Sequence, residues 1–272
     1  MKKVSLALAV VSLAATATVA FAGPQAATGI NGSWHDLNAA AGYTGDSLGR
    51  TCVFCHTPHN ARTTDALVPL WNHADNVLKN LAPYSWVAPT NQKIAINSDP
   101  LIGPSRLCMA CHDGSTAVDS HGSAGSFPAG NTKMTASYTD ALGATAKRFI
   151  TDLTVTHPIG FQYDEAAAKR NNIATNGQNV AEIVTSEHGF ILGDLPDAAV
   201  WNTQNRTGVS AVAETGKKIK DTLYGGFMTC ATCHDVHNSV NQGPTAASGH
   251  SYNYFLYAKE EGSAICLSCH IK

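Results

Sequence analysis

The sequence predicts a chain that is mostly coil with short α-helices and little β-structure, its interior filled by something other than aliphatic side chains. Three observations predict it. Long apolar runs are few, while Gly, Ala, Asn, Ser and Thr recur throughout. Turn signals punctuate the chain at Asn31-Gly32, Gly103-Pro104 and Gly243-Pro244, and at Pro83, Pro89, Pro100 and Pro128. All eight cysteines fall into four Cys-x-x-Cys pairs, and each pair is followed directly by His.

Met1 to Ala22 reads as an export signal and not as part of the fold. Lys2 and Lys3 make a positive start, Val4 to Phe21 is an apolar and small-residue run, and Ala20-Phe21-Ala22 fits a cleavage site. A mature chain, 23–272, is therefore expected outside the cytoplasm. Without Lys2 and Lys3, the 18 basic residues fall to 16 against 20 acidic ones, a net charge of −4. No basic stripe offers itself to nucleic acid, and that class of partner is not expected. Charged residues are only 14% of the chain, so an ordinary charged surface over an aliphatic core is a poor description of it.

The four pairs are Cys52 and Cys55 before His56, Cys108 and Cys111 before His112, Cys230 and Cys233 before His234, and Cys266 and Cys269 before His270. Cys-x-x-Cys-His is the attachment signature of c-type haem. Two thiols about one helical turn apart can add to the two vinyl groups of one porphyrin. The adjacent imidazole then lies beneath the iron as its proximal ligand. Disulfides or zinc sites would use the same cysteines, but neither requires His after every pair. With 12 His in 272 residues, four such coincidences have a chance of about four in a million. Four covalent haems are expected, and they supply the missing core.

Each haem motif should carry a turn or two of helix. Asp164 to Arg170 is a short Ala-bearing helical segment, and residues 212–222 show weak helical periodicity ending in Lys217, Lys218 and Lys220. The motifs repeat as two-haem units, over about 52–112 and 230–270. In each unit the first motif carries an extra His three residues on (His59, His237) and the second does not. The joining segment, 113–229, has no haem motif and could hold a small mixed subdomain. The whole is read as a single tetrahaem domain.

Eight histidines are left for the sixth coordination positions: His35, His59, His73, His121, His157, His188, His237 and His250. Met is scarce, and Met109 is locked inside a motif, so two imidazoles per iron is the expected ligand set. His59 and His237 sit on the same side as their own proximal His and so must reach a different haem. His157 precedes Pro158, which favours an extended presentation. His73 follows Leu70-Trp71 and His35 follows Trp34, aromatic lead-ins suited to a porphyrin face, and Asp36 could support His35. These five, His35, His59, His73, His157 and His237, compete for four positions.

Ser33-Trp-His-Asp36, Cys55-His-Thr-Pro-His-Asn60, Pro69-Leu-Trp-Asn-His73, Cys111-His-Asp-Gly114, Thr156-His-Pro-Ile-Gly-Phe161 and Cys233-His-Asp-Val-His237 resemble the doubled-motif multihaem cytochromes of dissimilatory metal-reducing bacteria, which include a filament-forming tetrahaem cytochrome. The resemblance touches most of the mature chain in short islands; apart from Thr156–Phe161, the 113–229 linker matches nothing in it. It implies bis-His irons and one sixth ligand taken from a neighbouring subunit. By that likeness the donated residue is His59. Alternatively His59 and His237 stay within their own units, on the haems of Cys108/Cys111 and Cys266/Cys269, and His35 or His73 is donated.

The expected function is electron transfer and not catalysis. It is read first as a secreted or cell-surface filament whose partners are further copies of itself, other multihaem cytochromes and acceptors such as metal oxides. The second reading is a monomeric periplasmic shuttle. The third is an oxidoreductase of small nitrogen oxyanions, which needs an iron with an open position; the histidine surplus and four unaltered motifs argue against it.

Overall fold

The computed structural model describes residues 29–31, 33, 35–39, 43–57, 61, 70–73, 99–114, 117–119, 134, 137–139, 145–147, 149–150, 152–171, 174–175, 178–179, 183–191, 214–237, 255–258, 260 and 263–271. Residues 1–22, read above as an export signal, lie outside them, as do His59, His121 and His250. Among the described residues the helices are short: α1 (Pro104–His112), α2 (Tyr163–Asn171), α3 (Cys230–Cys233) and α4 (Ala264–Cys269). Six strands pair as three separate antiparallel ribbons. These are β1 (Ser137–Thr139) with β2 (Thr145–Lys147), β3 (Ala174–Thr175) with β4 (Gln178–Asn179), and β5 (Gly189–Ile191) with β6 (Glu214–Lys218). No described helix is long and apolar enough to cross a membrane.

Local chemistry sets the two longer helices. Pro104 occupies the first turn of α1, where a missing N–H costs nothing. Gly103 before it has φ +57, and a Cβ there would lie 2.5 Å from the Tyr224 ring. Helix α2 has Asp164 and Glu165 in its first turn and Lys169 and Arg170 in its last, matching its dipole. The other end of the argument is tertiary. Tyr163 Oη donates to the Val184 carbonyl at 3.0 Å, and Asn171 exchanges two hydrogen bonds with Ile183 at 2.7 and 2.9 Å.

Through those contacts α2 holds 183–186 against the last haem motif. The Val184 N–H donates to the Cys269 carbonyl at 3.0 Å, and Ile191 N–H donates to Ser268 Oγ at 2.9 Å. Phe161, Tyr163, Ala166, Ala167, Phe190, Ile191, Ile219, Met228, Ala258 and Ala264 form the main buried cluster. Residues 161–191 and 219–228, among those described, therefore pack against the last motif. A smaller cluster of Leu101, Met109, Leu153 and Ile159 lies under α1, with Cys230 packed against it.

The helical periodicity expected over 212–222 does not prevail. Glu214–Lys218 is strand β6, in register with β5 as Gly189↔Lys218 and Ile191↔Glu214, and Ile219–Asp221 is a single 3-10 turn. Gly216 weakens any helix there. Pairing with the buried β5 gains more, and it lets Lys218 and Lys220 both reach Glu187, at 2.9 and 2.8 Å.

A backbone clamp repeats between the two units. The Thr57 N–H donates to Leu70 O at 2.8 Å and Asn72 N–H to Cys55 O at 2.9 Å; in the second unit Asp235 N–H donates to Phe255 O at 2.7 Å and Tyr257 N–H to Cys233 O at 3.1 Å. His56 bridges Trp71 as His234 bridges Leu256. Leu70 and Phe255 both take the left-handed conformation, at φ 55 and 62. The repeat thus extends beyond the haem motifs into segments whose side chains share little.

Candidate functional site

Each attachment motif is one closed turn. The carbonyl of the first cysteine accepts from the histidine N–H at 2.9 Å (Cys52 to His56), 3.1 Å (Cys230 to His234) and 2.8 Å (Cys266 to His270), while Cys108–His112 ends helix α1. Residues three and four apart on such a turn share a face. Both sulfurs and the imidazole therefore emerge on one side. None of the eight cysteines is in a disulfide.

Three histidines from outside the motifs stand opposite three from within them. His35 and His112 have ring centroids 6.3 Å apart at 60°, His237 and His56 6.4 Å apart at 20°, and His157 and His270 6.2 Å apart at 65°. An imidazole–metal bond is about 2 Å, and a ring centre lies about 1 Å behind its ligating nitrogen, so two imidazoles on one iron have centroids about 6 Å apart. The pairs fit the two axial sides of a haem. Among the described residues no group of three or more His, Cys, Asp or Glu is gathered as a bare metal ion would need.

The electrostatics suit neutral ligands. Burial, then His112, lowers the pKa of His35 to about 4, and partial desolvation lowers that of His157, which keeps an exposed face. Both are uncharged at neutral pH, with a lone pair to give. His157 Nδ1 is 2.9 Å from the Pro158 carbonyl and His35 Nδ1 3.4 Å from the Val236 carbonyl. A proton on Nδ1 donated there leaves Nε2 for iron. Burial pushes the Cys55 thiol up to about 11 and the Cys111 thiol up to about 12, the latter helped by Cys55. Such pockets accept an uncharged thioether sulfur better than a thiolate.

The attachment turns also neighbour one another. Cys108 and Cys230 share a thiol hydrogen bond, Cys55 acts on Cys111, and Cys269 acts on Cys233. Cys52 and Cys266, in the first and last motifs, are exposed, and the other six are partly buried. Trp71 Nε1 is buried without a hydrogen-bond partner, and its indole meets the His56 ring edge-on at 6.1 Å. That donor fits a haem propionate.

His73, also a candidate ligand, is placed differently. It is buried, its Nε2 is 2.6 Å from the Phe54 carbonyl, and its ring meets Trp71 at 5.9 Å. His237, which one of the two alternatives keeps on the Cys266/Cys269 haem, faces His56 of the first unit, while His157 faces His270. His59 lies outside the described residues. Sequence reasoning missed Phe255, which stacks on His35 at 4.5 Å and 19°, and Ser105, whose Oγ accepts from Cys230 N–H at 3.0 Å. No motif marks either.

Residues 225–272 match the family model of the doubled CXXCH motif, covering the third and fourth Cys-x-x-Cys-His turns. This supports a multihaem c-type cytochrome. Its cysteine pairs bind haem c covalently. No curated protein matches the chain.

Proposed function

We propose that the protein transfers electrons through four covalently bound, bis-His haems, as a secreted cytochrome that assembles with copies of itself. The observation that carries the reading is the opposition of His35, His237 and His157 to His112, His56 and His270 at 6.2–6.4 Å. Haem iron, when bound, accepts and gives up single electrons between its ferric and ferrous states. The chain's own part is to saturate that iron. His112, His56 and His270 would each hold an iron together with the opposed ring, which would leave small substrates no open position there. Neighbouring attachment turns keep adjacent carriers close, and Cys52 and Cys266 leave the two terminal attachment edges exposed for hand-over.

His59 is assigned to an iron of the His234 kind. Its repeat counterpart His237 faces the first haem site of the other unit; carrying the same relation over leads from His59 to the first site of a second unit. The likeness to filament-forming cytochromes favours a second unit in a neighbouring copy, with metal oxides or other cytochromes as acceptors at the cell surface. Electron microscopy of the secreted fraction tests assembly. Filaments are expected, and His59→Ala should retain all haems, leave one iron per chain without its sixth ligand and yield monomers. A wild-type protein found only as periplasmic monomers would replace the filament with a soluble shuttle.

A further inference from the structure

Phe255 belongs to no haem motif and to neither buried hydrophobic cluster, yet it is only 7% exposed. Its φ of 62 is a conformation that bulky side chains rarely adopt and that persists only where the surroundings enforce it. The surroundings are the third haem turn. Phe255 O accepts from Asp235 N–H at 2.7 Å, Leu256 bridges His234, and Tyr257 N–H donates to Cys233 O at 3.1 Å. Held this way, the Phe255 ring lies flat on His35, with centroids 4.5 Å apart and planes 19° apart. Val236 of the same turn supplies the carbonyl 3.4 Å from His35 Nδ1. One side of the imidazole and its Nδ1 are thus governed by Phe255 and Val236, while the ring itself stands 6.3 Å from His112. In the first unit the equivalent position is Leu70, which is 52% exposed and offers no aromatic face.

We propose that Phe255 is a positioning residue for the second haem site: its ring sets the plane of His35 opposite His112, so the turn that carries the third motif controls ligand geometry at the second. The proposal rests on the bis-His reading above. A flat aromatic surface restricts rotation of the imidazole about its iron bond, and the carbonyl fixes its tautomer.

The test uses full-length holoprotein with Phe255→Gly, Phe255→Tyr and His35→Ala. Glycine accepts φ 62 readily and removes the whole side chain, ring included; tyrosine keeps the ring. His35→Ala first identifies which low-spin ferric resonance belongs to the second site. Phe255→Gly should shift that resonance and that haem's potential alone, with all haems still attached. Phe255→Tyr should restore the wild-type spectrum. If the glycine variant fails to fold, Phe255→Leu, which copies the Leu70 position, is expected to give the same selective shift. An unchanged resonance in the variant lacking the aromatic ring, or an equal shift in Phe255→Tyr, overturns the positioning role. Full retention of low-spin iron in His35→Ala overturns the ligand assignment itself, and this inference with it.

Discussion

The ring of His237 stands 6.4 Å from that of His56, tilted by only 20°, although the two belong to different haem units. Two imidazoles so placed leave room for one iron between them. Under the bis-His proposal, the second unit would complete the first haem site of the first unit through His237.

His237→Ala should leave every haem attached, because no thioether cysteine changes. It should convert the iron at Cys52/Cys55 to a five-coordinate state. Haem-peptide mass mapping checks retention, and the ferric spectrum checks the spin state. If a different haem becomes high-spin, the pairing is wrong.

His73→Ala should behave in the opposite way. The hydrogen bond to Phe54 O and the burial of the ring are lost, which costs about 1–3 kcal/mol of stability. Iron spectra should not change. Denaturant midpoint and absorption spectrum, measured together, separate a structural histidine from a ligand.

The four attachment turns are legible in the sequence because both thiols and the proximal ligand lie within five residues, where spacing alone dictates geometry. Distal partners are less so. His35 and His157 stand out by their neighbours, but which iron each serves depends on packing between distant segments. His73 has a local cue of the same kind in Trp71; the Trp71 backbone pairs with His56, and the His73 ring lies against the Phe54 carbonyl. The backbone clamp shared by Leu70 and Phe255 is invisible to side-chain comparison, since main-chain hydrogen bonds and a left-handed φ make it. Over 214–218, tertiary pairing overrides a weak helical pattern.

Gly160→Ala should destabilise the protein by about 1–3 kcal/mol from backbone strain, with a steric cost added. Gly160 has φ +80, and a Cβ there would lie 2.7 Å from Pro100 Cα and 2.8 Å from Pro100 O, which are backbone atoms that cannot swing aside. A lowered denaturant midpoint checks it; an unchanged one would mean that 99–101 shifts freely.

Glu187 gives a pH signature. Hydrogen bonds from Lys220 and then Lys218 hold its carboxyl down at about 2. A depressed folded-state pKa contributes stability above the ordinary carboxylate range and loses it as pH falls toward 2. Glu187→Gln should be less stable than wild type at neutral pH, and the two should converge in acid. The group is exposed, so the difference is small and shrinks in high salt.

Low-temperature paramagnetic resonance of the fully oxidised protein, with intact mass to count haems, tests the central claim most directly. The account predicts a mass of the chain plus four haems and only low-spin ferric signals of bis-imidazole type. Three or fewer haems, a substantial high-spin ferric signal, or a far-red absorption band from Met–iron coordination would contradict it.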